Sequence, residues 1–151
     1  MIPNRVHHQY SCLLLGAVFL AGPVQGQDQP SPDRPFVFAR EIWRASVSAA
    51  ALEDDATFAS PPDRVEFVSR PVGADDAGDH FVQRIRGWIE APRTGSYRFS
   101  MTSDDDGLLY FSPSEDPNDR VLVAAVSGFT GPDEFDRQER QTSRPLTLIK
   151  G

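Results

Sequence analysis

The chain has almost no cysteine, histidine or lysine. Its single cysteine, Cys12, lies in an apolar stretch near the N-terminus, so the remainder has no thiol for a disulfide or for nucleophilic catalysis. His80 is the only histidine beyond the first ten residues, which excludes a histidine-rich zinc centre. A Ser-His-Asp relay would depend on His80, and no nucleophile motif lies near it. We therefore predict a domain that is not an enzyme.

Long hydrophobic runs are also missing. The run Cys12–Gly22 is too short to span a bilayer. It follows the basic residue Arg5 and precedes small residues at Val24 and Gly26, the pattern of a secretory signal peptide. We predict a signal peptide over residues 1–26 and a secreted, periplasmic or cell-surface protein with no transmembrane segment in its mature chain. The alternative is an N-terminal membrane anchor.

Acidic residues outnumber basic ones, and the net charge is −7. A chain of this charge does not favour nucleic acid or anionic membranes as partners. The composition changes after the signal: residues 27–35 are rich in proline and polar side chains, which predicts an extended linker. Ordered structure is expected from residue 36 to residue 151.

Period-two alternation of apolar side chains is the main structural signal in this region. It predicts strands at Phe81–Glu90 and Tyr97–Thr102, and the Pro92 to Gly95 segment between them predicts a turn, so we expect a hairpin. Further strands are predicted at Val65–Ser69, Leu108–Ser112, Val121–Val126 and Leu146–Ile149.

Many short strands separated by turn signals indicate an all-β fold, an antiparallel β-sandwich or barrel. One short helix is predicted within Arg40–Asp54. Because a sandwich without its last strands leaves an unpaired edge, we expect the domain to be incomplete at its C-terminus.

Three consecutive acids, Asp104, Asp105 and Asp106, follow the second strand of the predicted hairpin. Adjacent carboxylates repel one another, so a folded protein keeps them together only in water or around a cation. The residues alone leave two readings open: a calcium site, or a solvated acidic turn that prevents pairing at a sheet edge. Asp106 is expected to be a solvated turn residue.

The chain resembles the protective-antigen (PA14) domain family in a spaced set of residues. The set is Arg84-Ile85-Arg86-Gly87-Trp88, Ala91-Pro92, Thr94-Gly95, Tyr97, Phe99, Ser103-Asp104-Asp105 and Tyr110-Phe111-Ser112, with Arg40-Glu41 and Trp43 before it and Gln141-Thr142-Ser143 after it. The family has a β-sandwich fold. Its module usually accompanies catalytic domains rather than performing chemistry.

The resemblance implies a sugar-binding site. In family members that bind sugars, two aspartates joined by a cis peptide chelate calcium, and the calcium holds vicinal hydroxyls of the sugar. By position these are Asp104 and Asp105. Tyr110 is the aromatic residue predicted to contact the ligand, although aromatic residues in a small sandwich more often lie in the core.

These observations favour a secreted, non-catalytic carbohydrate-binding module that uses calcium, with a glycan or polysaccharide as its partner. Two alternatives stay open. One is a structural or protein-interaction module without a sugar site. The other is an ancillary N-terminal domain of a larger secreted hydrolase.

Overall fold

The computed structural model describes residues 8–13, 20–21, 38–44, 49–74, 77–114 and 116–151. Its strands are β1 His8–Leu13, β2 Leu20–Ala21, β3 Phe38–Trp43, β4 Arg64–Val68, β5 Val82–Ile89, β6 Gly95–Tyr97, β7 Phe99–Ser100, β8 Gly107–Phe111, β9 Val121–Val126 and β10 Leu146–Leu148. Four short 3₁₀ helices span Ala49–Glu53, Asp55–Phe58, Pro117–Asp119 and Glu139–Gln141. The all-β prediction is confirmed.

One large sheet and two small ones carry these strands. The large sheet has the order β4-β3-β5-β1-β8-β9, while β10 pairs with β6 and β2 pairs with β7. Every pair of these strands is antiparallel. The large sheet and the short strands face each other across a shared core, which is the sandwich arrangement predicted from the sequence.

The main core lies between the large sheet and the small ones. Ile85 and Leu109 of the large sheet meet Tyr97 and Phe99 of the short strands in one buried cluster. The ring centroids of Phe99 and Phe111 are 5.6 Å apart. Burial of these side chains holds the two layers together, because each aromatic removes a large apolar area from water.

A second cluster covers the opposite face of the large sheet. Trp43 and Val82 pack there against Leu52 and Phe58 of the first two 3₁₀ helices. The indole Nε1 of Trp43 donates to the carbonyl of Ser60 at 2.8 Å. This end of the sheet is therefore buried on both faces.

The prediction of a short helix within Arg40–Asp54 is confirmed only for Ala49–Glu53, and the other described residues of that range are not helical. Residues up to Trp43 belong to β3, and Ala49–Glu53 is a 3₁₀ helix. Ile42 and Trp43 are both buried although they are neighbours in sequence. An extended chain explains this, because consecutive side chains of a strand point to opposite faces and here both faces are covered.

The predicted hairpin is wrong in its pairing. Its first strand exists as β5, whereas its second, predicted at Tyr97–Thr102, is replaced by the two short strands β6 and β7. β5 pairs with β3 and β1, whereas β6 pairs with β10 and β7 with β2. The turn after Ala91 thus carries the chain from the large sheet to the opposite layer. Alternation predicts which side chains face the core, but it is the same for strands that lie side by side and for strands that face each other.

A buried ion cluster crosses the outer face of the large sheet. Glu41 accepts from Arg84 Nε at 2.7 Å and from Arg86 at 2.6 Å. The guanidinium of Arg84 also lies 5.3 Å from the ring centroid of Trp43. Because Glu41 is almost fully buried, the two arginines supply the charge compensation that it needs.

The predicted linker, residues 27–35, lies outside the described residues, as does most of the predicted signal peptide. Within residues 1–26 the structure describes β1 and β2. No helix among the described residues is long and apolar enough to cross a membrane.

Candidate functional site

The three consecutive acids form a tight turn between β7 and β8, named here the acidic turn (Ser103–Asp106). The side chains of Asp104 and Asp105 are exposed, while Asp106 is partly buried. Asp105 has a φ of 63°, in the left-handed region that Asp tolerates better than most residues. The described residues contain no cis peptide bond, so the expected cis link between Asp104 and Asp105 is not found.

The turn is held against a distant segment, residues 127–141, named here the site loop. Thr130 N donates to Ser103 O at 2.9 Å, and Ser103 N donates to Thr130 Oγ1 at 2.9 Å. Both residues are almost fully buried. The two segments are therefore joined by a reciprocal pair of hydrogen bonds protected from water.

Asp106 makes a second connection between the two segments. Its Oδ1 accepts from the backbone N–H of Gly128 at 3.0 Å. Gly128 has a φ of 67°, which glycine adopts without steric penalty. The structure thus corrects the expectation for Asp106: it is a partly buried anchor of the site loop rather than a solvated turn residue.

Gln141 closes the far end of the site loop. Its side-chain Nε2 donates to Met101 O at 3.0 Å, and its backbone carbonyl accepts from Met101 N at 3.0 Å. Thr102 Oγ1 donates to Pro132 O at 3.1 Å. The residues between β7 and the acidic turn, Met101 and Thr102, are consequently held by the site loop.

The site loop also carries acids at its surface. Asp133, Glu134 and Asp136 are all exposed. The N–H of Gly131 donates to Glu134 at 2.8 Å and Arg137 lies 3.1 Å away, and together they hold the pKa of Glu134 below its ordinary value of 4.5. Glu134 is therefore committed to the loop itself.

Asp104 and Asp105, by contrast, keep their carboxylates available for a ligand. No hydrogen bond or ion pair engages their carboxylates among the described residues. Their oxygens are of the hard type that calcium prefers, so the donor chemistry fits a cation. The described residues hold no group of three or more His, Cys, Asp or Glu that could bind a metal. A calcium ion here would therefore complete its six to eight ligands with carbonyls, water or ligand hydroxyls.

Tyr110 is not brought to the acidic turn. It lies three residues along β8 from Gly107, a distance of about 10 Å at the rise of a strand. Its ring packs against the second core cluster and has the guanidinium of Arg120 5.8 Å from its centroid. The predicted contact of Tyr110 with a ligand stays a prediction.

Phe129 is the aromatic residue that the structure places beside the acidic turn. Its neighbours Gly128 and Thr130 are bonded to Asp106 and Ser103, so residue 129 lies alongside the turn. Its side chain is 53% exposed, and the guanidinium of Arg137 lies 5.9 Å from its ring centroid. Sequence reasoning missed it. The available signal was an aromatic residue enclosed by polar and glycine residues in a loop.

Comparison with known proteins identifies the class. The PA14 domain family matches residues 40–151, and the chain belongs to that family. This range contains the acidic turn and the site loop.

Particular relatives show where such a domain occurs. Fibrocystin of Canis lupus familiaris is 39% identical over 90 residues, which is 57% of this chain and 2% of that protein. The N-acetyl-beta-glucosaminyl-glycoprotein 4-beta-N-acetylgalactosaminyltransferase 1 of Mus musculus is 39% identical over 70 residues, 44% of this chain and 7% of the enzyme. Fibrocystin-L of Homo sapiens is 34% identical over 73 residues, 48% of this chain and 2% of that protein. The chain thus spans a small part of each relative. No solved structure matches it.

Proposed function

We propose that this PA14 domain binds carbohydrate outside the cytoplasm, and that a calcium ion held by Asp104 and Asp105 takes part. One observation carries the proposal: two exposed, uncommitted carboxylates lie on a turn that is braced by a second segment and flanked by an exposed aromatic ring. One relative is, by its name, a glycosyltransferase acting on a glycoprotein, which supports a setting that involves sugars.

The chemistry of the turn suits a shared cation. Two neighbouring carboxylates repel each other, and a divalent ion removes that repulsion. A calcium ion bound by both carboxylates still needs further oxygen ligands. Vicinal hydroxyls of a sugar are neutral oxygen ligands that can supply them. Left-handed backbone at Asp105 is a conformation that folded proteins keep mainly where surrounding contacts enforce it, often at binding sites.

Phe129 supplies the second part of the proposed site. The apolar face of a sugar ring packs on exposed aromatic side chains, and Phe129 is anchored on both sides by the hydrogen bonds of its neighbours. The anchored backbone lowers the entropy that binding would otherwise have to remove. In this proposal calcium binds the hydroxyl groups of the sugar, and Phe129 contacts its carbon face.

The outer face of the large sheet supports a second candidate, a protein-interaction module. Phe67 is 76% exposed, and Val65 and Trp88 are about half exposed. The strand register puts all three on one face of β4, β3 and β5. Exposed apolar groups of this kind mark contact surfaces with other proteins. Binding through this face would be independent of calcium.

A calcium titration followed by thermal unfolding tests the proposal. Binding to the folded state alone stabilises by about 2.7 kcal/mol when calcium is 100 times its Kd. We expect the Tm to rise by about 5 °C or more in millimolar calcium, and Asp104→Asn or Asp105→Asn to remove most of that rise. Asp79→Asn, which removes an exposed acid from another loop, is the matched control and should keep the full response.

A glycan array with and without chelator tests the sugar. We expect bound glycans to be lost in chelator and in Phe129→Ala, while Phe129→Ala keeps the Tm rise with calcium. The same Tm in chelator and in calcium for the parent chain would refute the calcium site. Binding of protein partners that is unaffected by chelator but lost in Phe67→Ser would favour the second candidate.

A further inference from the structure

The strand β4 lies at one edge of the large sheet. Among the described residues its only strand partner is β3, which covers one of its two sides. Because the backbone groups of successive residues point alternately to the two sides of a strand, some N–H and C=O groups of β4 are directed away from β3. Proteins often block such an edge with lysine or proline, and β4 contains neither. It therefore offers an edge to which a further strand can pair.

The outer face of this edge is apolar. Val65 is 50% exposed, and Phe67 is the most exposed of the large apolar side chains in the described part of the chain. The strand at the other edge, β9, differs because its last three residues, Ala124 to Val126, are buried. An edge strand that exposes apolar side chains beside its free backbone edge is a site of association between chains.

The charges of β4 favour a second copy of this chain as the partner. Arg64 and Glu66 lie on the face opposite to Val65 and Phe67, since successive side chains of a strand alternate. Arg64 Nε lies 3.1 Å from Glu66 Oε1, and both side chains are about one third exposed. One strand thus carries both signs of charge two residues apart, and an antiparallel copy can match each charge with its opposite.

One register of two antiparallel β4 strands makes that match. With Val65 opposite Val65 of the second copy, Arg64 of each chain lies opposite Glu66 of the other. The two neighbouring registers that keep both outer faces on one side place Glu66 opposite Glu66, or Arg64 opposite Arg64. Like charges directly opposite each other destabilise a pair of strands, whereas opposite charges stabilise it. The charge pattern therefore selects the register centred on Val65.

We propose that β4 pairs with β4 of a second copy of this chain in this register, so that two large sheets join into one continuous sheet around a two-fold axis. The pairing adds backbone hydrogen bonds between the chains. It brings the two Val65 side chains together and places each Phe67 diagonal to Val65 of the other chain. Because a five-residue strand forms a small interface, the association is weak. This inference rests on the second candidate function, whose partner it names, and it is independent of the calcium site.

Sedimentation velocity of the full chain, over a micromolar to millimolar concentration series, tests the dimer. We expect a reversible monomer–dimer equilibrium that is the same in calcium and in chelator. Val65→Lys puts two ammonium groups opposite each other and should raise the dimer Kd about tenfold or more. The matched control is Val121→Lys, the same change at a residue 53% exposed on the other edge strand, and it should leave the Kd unchanged. A parent chain that stays monomeric throughout, or equal effects of the two variants, would overturn the proposal.

Disulfide cross-linking in a chain carrying Cys12→Ser tests the register. Val65→Cys should form a disulfide between chains under mild oxidation, because residues directly opposite each other have Cα atoms about 5 Å apart. Phe67→Cys should not, because in this register its two copies are separated by four residues along the strands, roughly 13 Å. Cross-linking at position 67 in preference to 65, or at neither position, would overturn the pairing.

The dimer can fail without failure of the second candidate function. A different protein that binds the parent chain and is lost in Val65→Lys, while the parent chain itself stays monomeric, would refute the dimer and support that function. The change in Tm with calcium and the binding of glycans are separate measurements that neither result affects.

Discussion

Gly107 directly follows the acidic turn, and replacing it with alanine should displace the turn, because the added methyl group meets Met101 and Ser103. A Cβ at position 107 would lie 2.6 Å from Met101 Cε, 2.8 Å from Ser103 Oγ and 2.9 Å from Ser103 Cβ. Real Cβ atoms do not approach so closely, so something must move. Met101 has a flexible end but is fully buried, and Ser103 Cβ is attached to the backbone of the turn.

The expected size follows from two opposing effects. Overpacking a core site costs about 1 to 3 kcal/mol, and alanine recovers up to about 1 kcal/mol by restricting the unfolded chain. We expect Gly107→Ala to lower the free energy of unfolding by about 1 to 2 kcal/mol and the Tm by about 3 to 8 °C. Displacement of the turn should also weaken the calcium response.

Gly95→Ala is the matched control, because a Cβ there would meet only Tyr97 Cε2 at an ordinary 3.8 Å. It should be neutral or slightly stabilising. Both variants are measured by chemical denaturation and thermal unfolding. A Gly107→Ala protein as stable as the parent, or one no less stable than Gly95→Ala, would show that the packing behind the turn is looser than these distances require.

Three further outcomes are expected. Asp106→Ala removes the acceptor for the Gly128 N–H, so it should lower the free energy of unfolding by about 1.5 to 3 kcal/mol and speed hydrogen exchange at that amide. Asp106→Asn keeps an acceptor and should lower the free energy of unfolding less. Equal losses of stability in the two variants would contradict the role of Asp106 as an anchor. Glu41→Ala leaves Arg84 without its buried partner and should cost about 3 kcal/mol, and a loss below about 0.5 kcal/mol would disprove its role. Folding lowers the pKa of Glu134, so its stabilisation is present above pH 4.5 and is lost as the pH falls through the folded-state pKa. Glu134→Gln should flatten this dependence, and an unchanged pH profile of unfolding would argue against it.

Most strands could be predicted from local pattern, because alternation reports directly which side chains face a core. Val121–Val126 is a strand as predicted, and β5 differs from its prediction by a residue at each end. The partner of each strand could not be predicted, since alternation does not contain that information. The segment after Ala91 illustrates this: the pattern fits a hairpin, but the chain crosses to the other layer.

In the candidate site, too, local sequence predicts some residues, and others depend on contacts between distant segments. Asp104 and Asp105 are predicted as ligands because three adjacent acids are conspicuous in sequence and because the resemblance to the PA14 family singles out the first two, and the role of this pair stays a prediction. The contact of Asp106 with Gly128 spans 22 positions, and no local pattern predicts it. Phe129 becomes a candidate only through that contact. The position of a loop residue such as Phe129 depends on the segment to which the loop is hydrogen-bonded, and that segment is distant in sequence.

The site loop is tied mainly through main-chain oxygens of the residues between β7 and the acidic turn. The carbonyls of Met101 and Ser103 receive donors from Gln141 and Thr130, whichever side chains the carbonyl residues themselves carry, and the carbonyl of Phe99 receives the N–H of Ser143 just beyond the loop. The exposed positions between these anchors, such as Asp133 and Asp136, make no contribution to that attachment. Their identities are therefore free to drift or to be randomised while the loop keeps its path. A library at these positions should yield domains of one architecture that differ in the ligand they select.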